Sequence, residues 1–145
     1  MILNKVKVEN FISHRNSELD LEYGINVITG PNGAGKTSIL DGISFALFNI
    51  HSRGKKENLI NSRASKSKLI VEFTEGGINY ATEWSIERNK AAHGILFRVQ
   101  NGEKELLARG GERIIVSEVE KLLGIDKDLF LQSIYVRQGE IEKLV

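Results

Sequence analysis

Ile25-Asn26-Val27-Ile28-Thr29-Gly30-Pro31-Asn32-Gly33-Ala34-Gly35-Lys36-Thr37-Ser38-Ile39-Leu40-Asp41 is the stretch on which the reading of this sequence turns. Gly30 to Thr37 matches G-x-x-x-x-G-K-[ST] in full. The short apolar run Ile25 to Thr29 reads as a buried strand feeding that loop. Lys36 to Asn49 reads as a helix leaving it, with Ile39, Leu40, Ile43, Ala46 and Leu47 at helical spacing. The residue types supply the chemistry. Gly30, Gly33 and Gly35 allow backbone angles closed to other residues. Successive N–H groups can then converge on phosphate oxygens, helped by the positive end of the helix. Lys36 adds a point charge for the β- and γ-phosphates, and Thr37 a hydroxyl for Mg²⁺. The motif implies a nucleoside triphosphate, without naming the base or the use made of the energy. A chance match in an unrelated glycine-rich loop is the alternative that the flanking strand and helix argue against.

Working outward, Val6 and Val8 alternate with Lys5, Lys7 and Glu9 as a half-buried strand. Leu19 and Leu21 alternate with Glu18, Asp20 and Glu22 as a second, and Tyr23-Gly24 reads as a turn. Residues 51–67 are polar and irregular. Residues 68–107 read as an antiparallel meander: Leu69, Val71 and Phe73 alternate, Gly76-Gly77 marks a tight turn, and Tyr80, Thr82, Trp84 and Ile86 share a face. Ile95, Phe97 and Val99 alternate before the hairpin signal Asn101-Gly102. Ile114, Ile115, Val119, Leu122 and Leu123 then repeat at helical spacing, stopped by Gly124. Asp126 can cap a short helix from Lys127 to about Leu131. Ser133 to Val136 reads as a strand, and Gly139 to Val145 as the start of a helix.

The chain has 145 residues with 41% hydrophobic content, enough for one domain with a real core. It has no Cys, which excludes disulfides and thiolate metal sites and suits a reducing compartment. No apolar run is long enough to span a membrane, and the N-terminus lacks a signal-peptide layout. The expectation is cytoplasmic, or nucleoid-associated if prokaryotic. A net charge of +1 identifies no partner. Two basic clusters, Arg53, Lys55 and Lys56, then Arg63, Lys66 and Lys68, read as a solvated loop and strand edge or as a phosphate-facing patch. Asp41 reads as an exposed helix carboxylate ahead of the alternative that it orients a neighbouring backbone or side chain, and Trp84 and Tyr80 read as packing residues.

Three stretches together resemble the SMC-type ABC ATPases. Asn10-Phe11-Ile12-Ser13-His14 resembles their N-F-x-S-H opening, and Gly24 to Asp41 their G-I-N-x-I-x-G-x-N-G-x-G-K-[ST] segment. Ile134-Tyr135-Val136-Arg137-Gln138-Gly139-Glu140 is similar to the segment carrying their Q-loop glutamine. The Arg-Gln-Gly-Glu form is most similar to the DNA double-strand-break repair branch that partners the Mre nuclease. The resemblance covers the chain and implies an α/β P-loop lobe, with a mixed sheet around the phosphate loop and the antiparallel meander beside it. Residues 1–145 would be the N-terminal lobe of a split head, with a coiled coil starting near 139–145.

The resemblance also implies roles. Lys36 and Gln138 would be catalytic, and Thr37 and Gln138 would hold Mg²⁺. ATP would be bound by Ser13, Asn32, Gly33, Ala34, Gly35, Lys36, Thr37 and Ser38, with Ile60, Asn61 and Ser62 passing the base and ribose. His14 would lie near the nucleotide or serve as a cap. Ile12 departs from the pattern: many relatives have a basic residue there, and isoleucine offers no charge to a phosphate. The implied partners are the C-terminal half of the same protein, a second head, the Mre-type nuclease and DNA, with no membrane. Zinc would belong only to the coiled-coil apex of the full-length protein.

Elements that such hydrolases need are missing from this sequence. Leu69-Ile70-Val71-Glu72 lacks the acidic pair of a Walker B strand. Ala108-Arg109-Gly110-Gly111-Glu112 has only the tail of a Leu-Ser-Gly-Gly-Glu signature and reads as a turn. The expectation is an ATP hydrolase active only when completed by its C-terminal half and a second head. The alternative is an ATP-gated chromosome-organising or recombination clamp with little hydrolysis. A small-molecule phosphotransferase is disfavoured by the meander after the helix, and a transporter ATPase by the opening and closing segments.

Overall fold

The computed structural model describes residues 1–29 and 35–133. Strands β1 (Ile2–Phe11) and β2 (His14–Asp20) form a hairpin, and α1 spans Lys36–Phe48. A single 3₁₀ turn at Lys56–Leu59 leads to β3 (Lys66–Glu75), β4 (Ile78–Glu87), β5 (His93–Gln100) and β6 (Glu103–Gly110). Helices α2 (Glu112–Leu123) and α3 (Lys127–Ser133) follow. All six strands join one sheet in the order β2-β1-β3-β4-β5-β6, antiparallel at every pairing.

The expected turns set the register. Gly76 and Gly77 take φ of 58° and 78°, and Asn101 and Gly102 take 52° and 76°, the left-handed pairs that two-residue hairpins need. One sheet face is apolar: Val6 pairs with Val71, Val8 with Leu69, Leu69 with Trp84, and Phe73 with Tyr80. These side chains share one buried cluster with residues of α1 and α2. Trp84 is fully buried, stands edge-on to Phe45 at 5.3 Å, and donates its indole N–H to the Ala46 carbonyl at 2.9 Å. Its face meets Gly94, where an added Cβ would lie 2.9 Å from both Trp84 Cζ2 and Ile115 Cγ1. The glycine is therefore what lets α2 and the indole close over β5. Phe48 stacks on Phe130 at 4.5 Å, joining α1 to α3. Across the other face the charges pair: Lys5 reaches Glu18, and Lys68 reaches Glu83, each at 2.9 Å.

Several expectations are corrected. Ile25 to Thr29 is not a strand among the described residues; Ile25 is 95% and Val27 78% exposed. The Asn26 side chain instead closes on Glu22, accepting its N–H at 3.0 Å and donating to its carbonyl at 2.8 Å. That turn carries the chain off the sheet, so the apolar run has no ladder partner among the described residues. The α/β class stands, but the described sheet is antiparallel rather than mixed. Ile114 is half exposed, while Ile115, Val116 and Val119 are buried, so the inward face of α2 is rotated from the expected seam. Leu40 is exposed on α1 likewise. Ser133 ends α3 instead of opening a strand, and 134–145, including the expected helix and coiled-coil start, lie outside the described residues. Leu69 to Glu72 lies in mid-β3, and Gly110-Gly111 is the turn from β6 into α2, as read. Gly124 (φ 68°) ends α2, and Asp126 caps α3 by accepting the Leu129 N–H at 2.7 Å.

Candidate phosphate-binding site

The site begins where the chain enters α1. Gly35 takes φ 90°, ψ 19°, a left-handed conformation that suits glycine. Gly35, as the N-cap residue, has no side chain with which to cap the helix, and no acidic residue lies in the first turn. A helix N-terminus entered through glycine and free of carboxylates suits an anion. Lys36 and Thr37 lie half-buried in that turn, and Ser38 is buried. These residues fit a triphosphate with Mg²⁺: Lys36 has the charge, Thr37 the hydroxyl, and Gly35 the backbone conformation. Asn32, Gly33 and Ala34 belong to the same motif but lie, with Gln138, outside the described residues.

The β1–β2 turn packs on this point. His14 Nε2 is 3.1 Å from the Gly35 carbonyl oxygen, and its Nδ1 is 2.8 Å from Ser17 Oγ. An added Cβ on Gly35 would fall 2.3 Å from His14 Nε2 and 3.0 Å from Ser13 Oγ. Ser13 and His14 thus stand directly beside the end of the phosphate loop. The turn itself is strained: Asn10 and Ile12 take φ of 50° and 52°, and a β-branched residue rarely adopts that region.

Residues 59–61 hold that strain in place. Ile12 N–H donates to the Leu59 carbonyl at 2.8 Å, and Asn61 N–H to the Asn10 carbonyl at 2.8 Å. The Asn61 side-chain amide donates to the Ile12 carbonyl at 2.7 Å, and its oxygen accepts the Arg63 N–H at 3.0 Å. Ile60 is buried, so its side chain serves the core, while Ser62 is exposed. Leu59 and Asn61, on either side of Ile60, are therefore tied to the turn that leads into Ser13.

Asp41 is the largest departure from the sequence reading. It is not an exposed carboxylate but fully buried. It accepts hydrogen bonds from Ser52 N–H at 2.9 Å, Ser52 O–H at 2.9 Å and Arg53 Nε at 3.1 Å. Arg53 Nη2 also reaches Ser38 Oγ at 3.3 Å. Arg53 is thus partly withdrawn from the solvated basic loop and braces the first turns of α1. His51 stands edge-on to Phe45 and accepts the Arg53 N–H on Nδ1 at 3.2 Å. Burial pushes the His51 pKa below its ordinary value, against the opposing pull of Asp41 and Glu112. No local sequence signal marks these contacts, because the partners of Asp41 lie in an irregular segment after the helix.

A family model described as AAA domain matches residues 5–144. The DNA double-strand break repair Rad50 ATPase of Saccharolobus solfataricus is 36% identical over 151 residues, covering 100% of this chain and 16% of that protein. That of Methanocaldococcus jannaschii is 34% identical over 145 residues, covering 100% of this chain and 14% of the relative. The chain thus spans about 16% of the length of the curated relatives it matches. The recombination mediator protein RecF, solved with ATP, superposes with a TM-score of 0.60 at 22% identity, over 71% of this chain and 28% of that one, a likeness of fold. The SMC head domain from Thermotoga maritima gives 0.51 at 28% identity, over 72% of this chain and 39% of that one. Among the described residues no helix is long and apolar enough to cross a membrane. The chain belongs to the AAA domain family; it resembles the double-strand-break repair ATPases over its whole length and an SMC-type ATPase head over 72% of it.

Proposed function

We propose that this chain forms the phosphate-binding lobe of an ATPase head that acts in DNA double-strand-break repair. The carrying observation is the entry into α1: a left-handed Gly35, then Lys36, Thr37 and Ser38, at a helix start with no acidic residue in its first turn. Lys36 holds the β- and γ-phosphates, Thr37 and Gln138 hold Mg²⁺, and Asn32 to Gly35 and Ser38 cradle phosphate oxygens. Ser13 and residues 60–62 line the approach of the ribose and base. Bound Mg²⁺ supplies charge neutralisation between the phosphates. This chain's own contribution to turnover is positioning and charge stabilisation by Lys36 and Gln138.

The hydrolytic site is completed in trans. Leu69 to Glu72, the nearest candidate for a Walker B strand, lies in the middle of the antiparallel sheet. The exposed apolar residues Tyr23, Ile25 and Val27 support a further segment that covers them. We assign that role to the C-terminal half of the same protein, with ATP closing two heads into a dimer that binds DNA and regulates an Mre-type nuclease. Zinc is assigned only to a coiled-coil apex outside these residues, and the setting to the cytoplasm or nucleoid. The reading as an ATP-gated clamp rests on the same missing carboxylates, and turnover separates the two. Lys36→Ala tests the shared core: titration with ATP and Mg²⁺ should show binding abolished with the fold intact, and unchanged affinity would refute the assignment.

A further inference from the structure

We propose that His14 is a positioning residue for phosphate binding, acting through the Gly35–Lys36 peptide; the proposal rests on the phosphate-loop reading above. The Gly35 carbonyl can only accept, so the 3.1 Å contact requires a proton on His14 Nε2. In the neutral ring, Nδ1 then accepts from Ser17, 2.8 Å away, and this second bond fixes both tautomer and ring orientation. A trans peptide points its C=O and N–H in opposite directions. Drawing the Gly35 carbonyl toward His14 therefore turns the Lys36 N–H to the side away from the imidazole. That N–H is among the donors a phosphate loop offers to its ligand.

The restraint matters because the helix itself holds this carbonyl weakly. The Ile39 N–H donates to it at 3.4 Å, near the limit for a hydrogen bond. Gly35 also has the widest backbone freedom of any residue type. His14 is in turn anchored from behind: the strained Ile12 is gripped by Leu59 and Asn61. The imidazole thus links β2 to the entry of α1, while the 59–61 segment holds the turn that precedes it.

The test measures affinity for ATP and for inorganic tripolyphosphate, each with Mg²⁺, in the full polypeptide that carries this sequence. His14→Ala and His14→Asn should each weaken both ligands by the same factor, about tenfold for one lost positioning hydrogen bond. His14→Gln should keep most of the affinity, because its amide nitrogen is as many bonds from Cα as Nε2 and can donate to Gly35. Equal losses in all three variants would overturn the donor argument and reduce His14 to packing. Unchanged affinity in His14→Ala alongside loss in Lys36→Ala would overturn this proposal alone. Unchanged affinity in both would overturn the phosphate-loop reading beneath it. If His14→Ala does not fold, the Gln and Asn variants, matched for melting temperature, decide the matter.

Discussion

Replacing Asp41 with alanine should destabilise the chain by roughly 3 kcal/mol, and the structure shows why the figure is neither smaller nor larger. The carboxylate is fully buried and receives the Ser52 N–H, the Ser52 hydroxyl and the Arg53 guanidinium. Hydrogen bonds to a charged group contribute about 1.5–3 kcal/mol each, and breaking a closed buried ion pair costs about 3–5 kcal/mol. Arg53 keeps 36% of its side chain exposed and Ser52 is exposed, so both can turn to water once the acceptor is gone. That relief holds the total near the lower end, and for a chain of this size it corresponds to a fall of about 10 °C in Tm. Asp41→Asn should cost about half as much, since its oxygen still accepts the Ser52 N–H while its NH₂ opposes Arg53. Arg53→Ala should cost a comparable amount by leaving the buried carboxylate short of its cation, and the double variant should be less destabilised than the sum. Thermal and urea unfolding followed by Trp84 fluorescence reads all four proteins. An Asp41→Ala variant within about 0.5 kcal/mol of the parent, the range of an ordinary surface change, would refute the reasoning.

Gly94→Ala should destabilise by about 1–3 kcal/mol, because its methyl would enter the contact of Trp84 with Ile115; unfolding midpoints in urea check it, and an unchanged midpoint would contradict the packing described. His51 predicts a pH dependence. Its pKa is lower folded than its ordinary value of 6.5, so the unfolded chain takes the proton first. This contribution to stability is complete above about 6.5 and declines as pH falls from there toward the folded pKa. His51→Asn, which keeps an acceptor for the Arg53 N–H, should flatten stability against pH in that window, and an unchanged slope would remove His51 as its source.

Local pattern carried the meander, because hairpin turns and alternation are set by neighbours in sequence. Gly76-Gly77 and Asn101-Gly102 turn where they were read, and Tyr80 and Trp84 pack as expected. The run Ile25 to Thr29 misled for a physical reason: alternation gives a segment strand propensity, but a strand also needs a partner for its backbone, and the Asn26 turn removes the run from the sheet. Asp41 misled because a carboxylate on a helix signals solvent unless its partner is visible, and Ser52 and Arg53 follow only after the helix has ended. Ile114 shows the same limit on phase, since two adjacent isoleucines leave open which one points inward until α2 meets Gly94. At the candidate site, the entry of Gly35 to Ser38 into α1 was legible from the motif alone. The contact of His14 with Gly35 was not, because it joins residues 21 apart through a turn whose shape depends on the 59–61 clamp.

The most direct test of the central claim is ATP turnover with Mg²⁺, measured for this chain alone and then mixed with the C-terminal half assigned to it, with and without DNA. An incomplete phosphate-binding lobe predicts negligible turnover alone and DNA-responsive turnover in the mixture. Strong turnover from this chain by itself would contradict the account, since it would place a complete hydrolytic site within these residues.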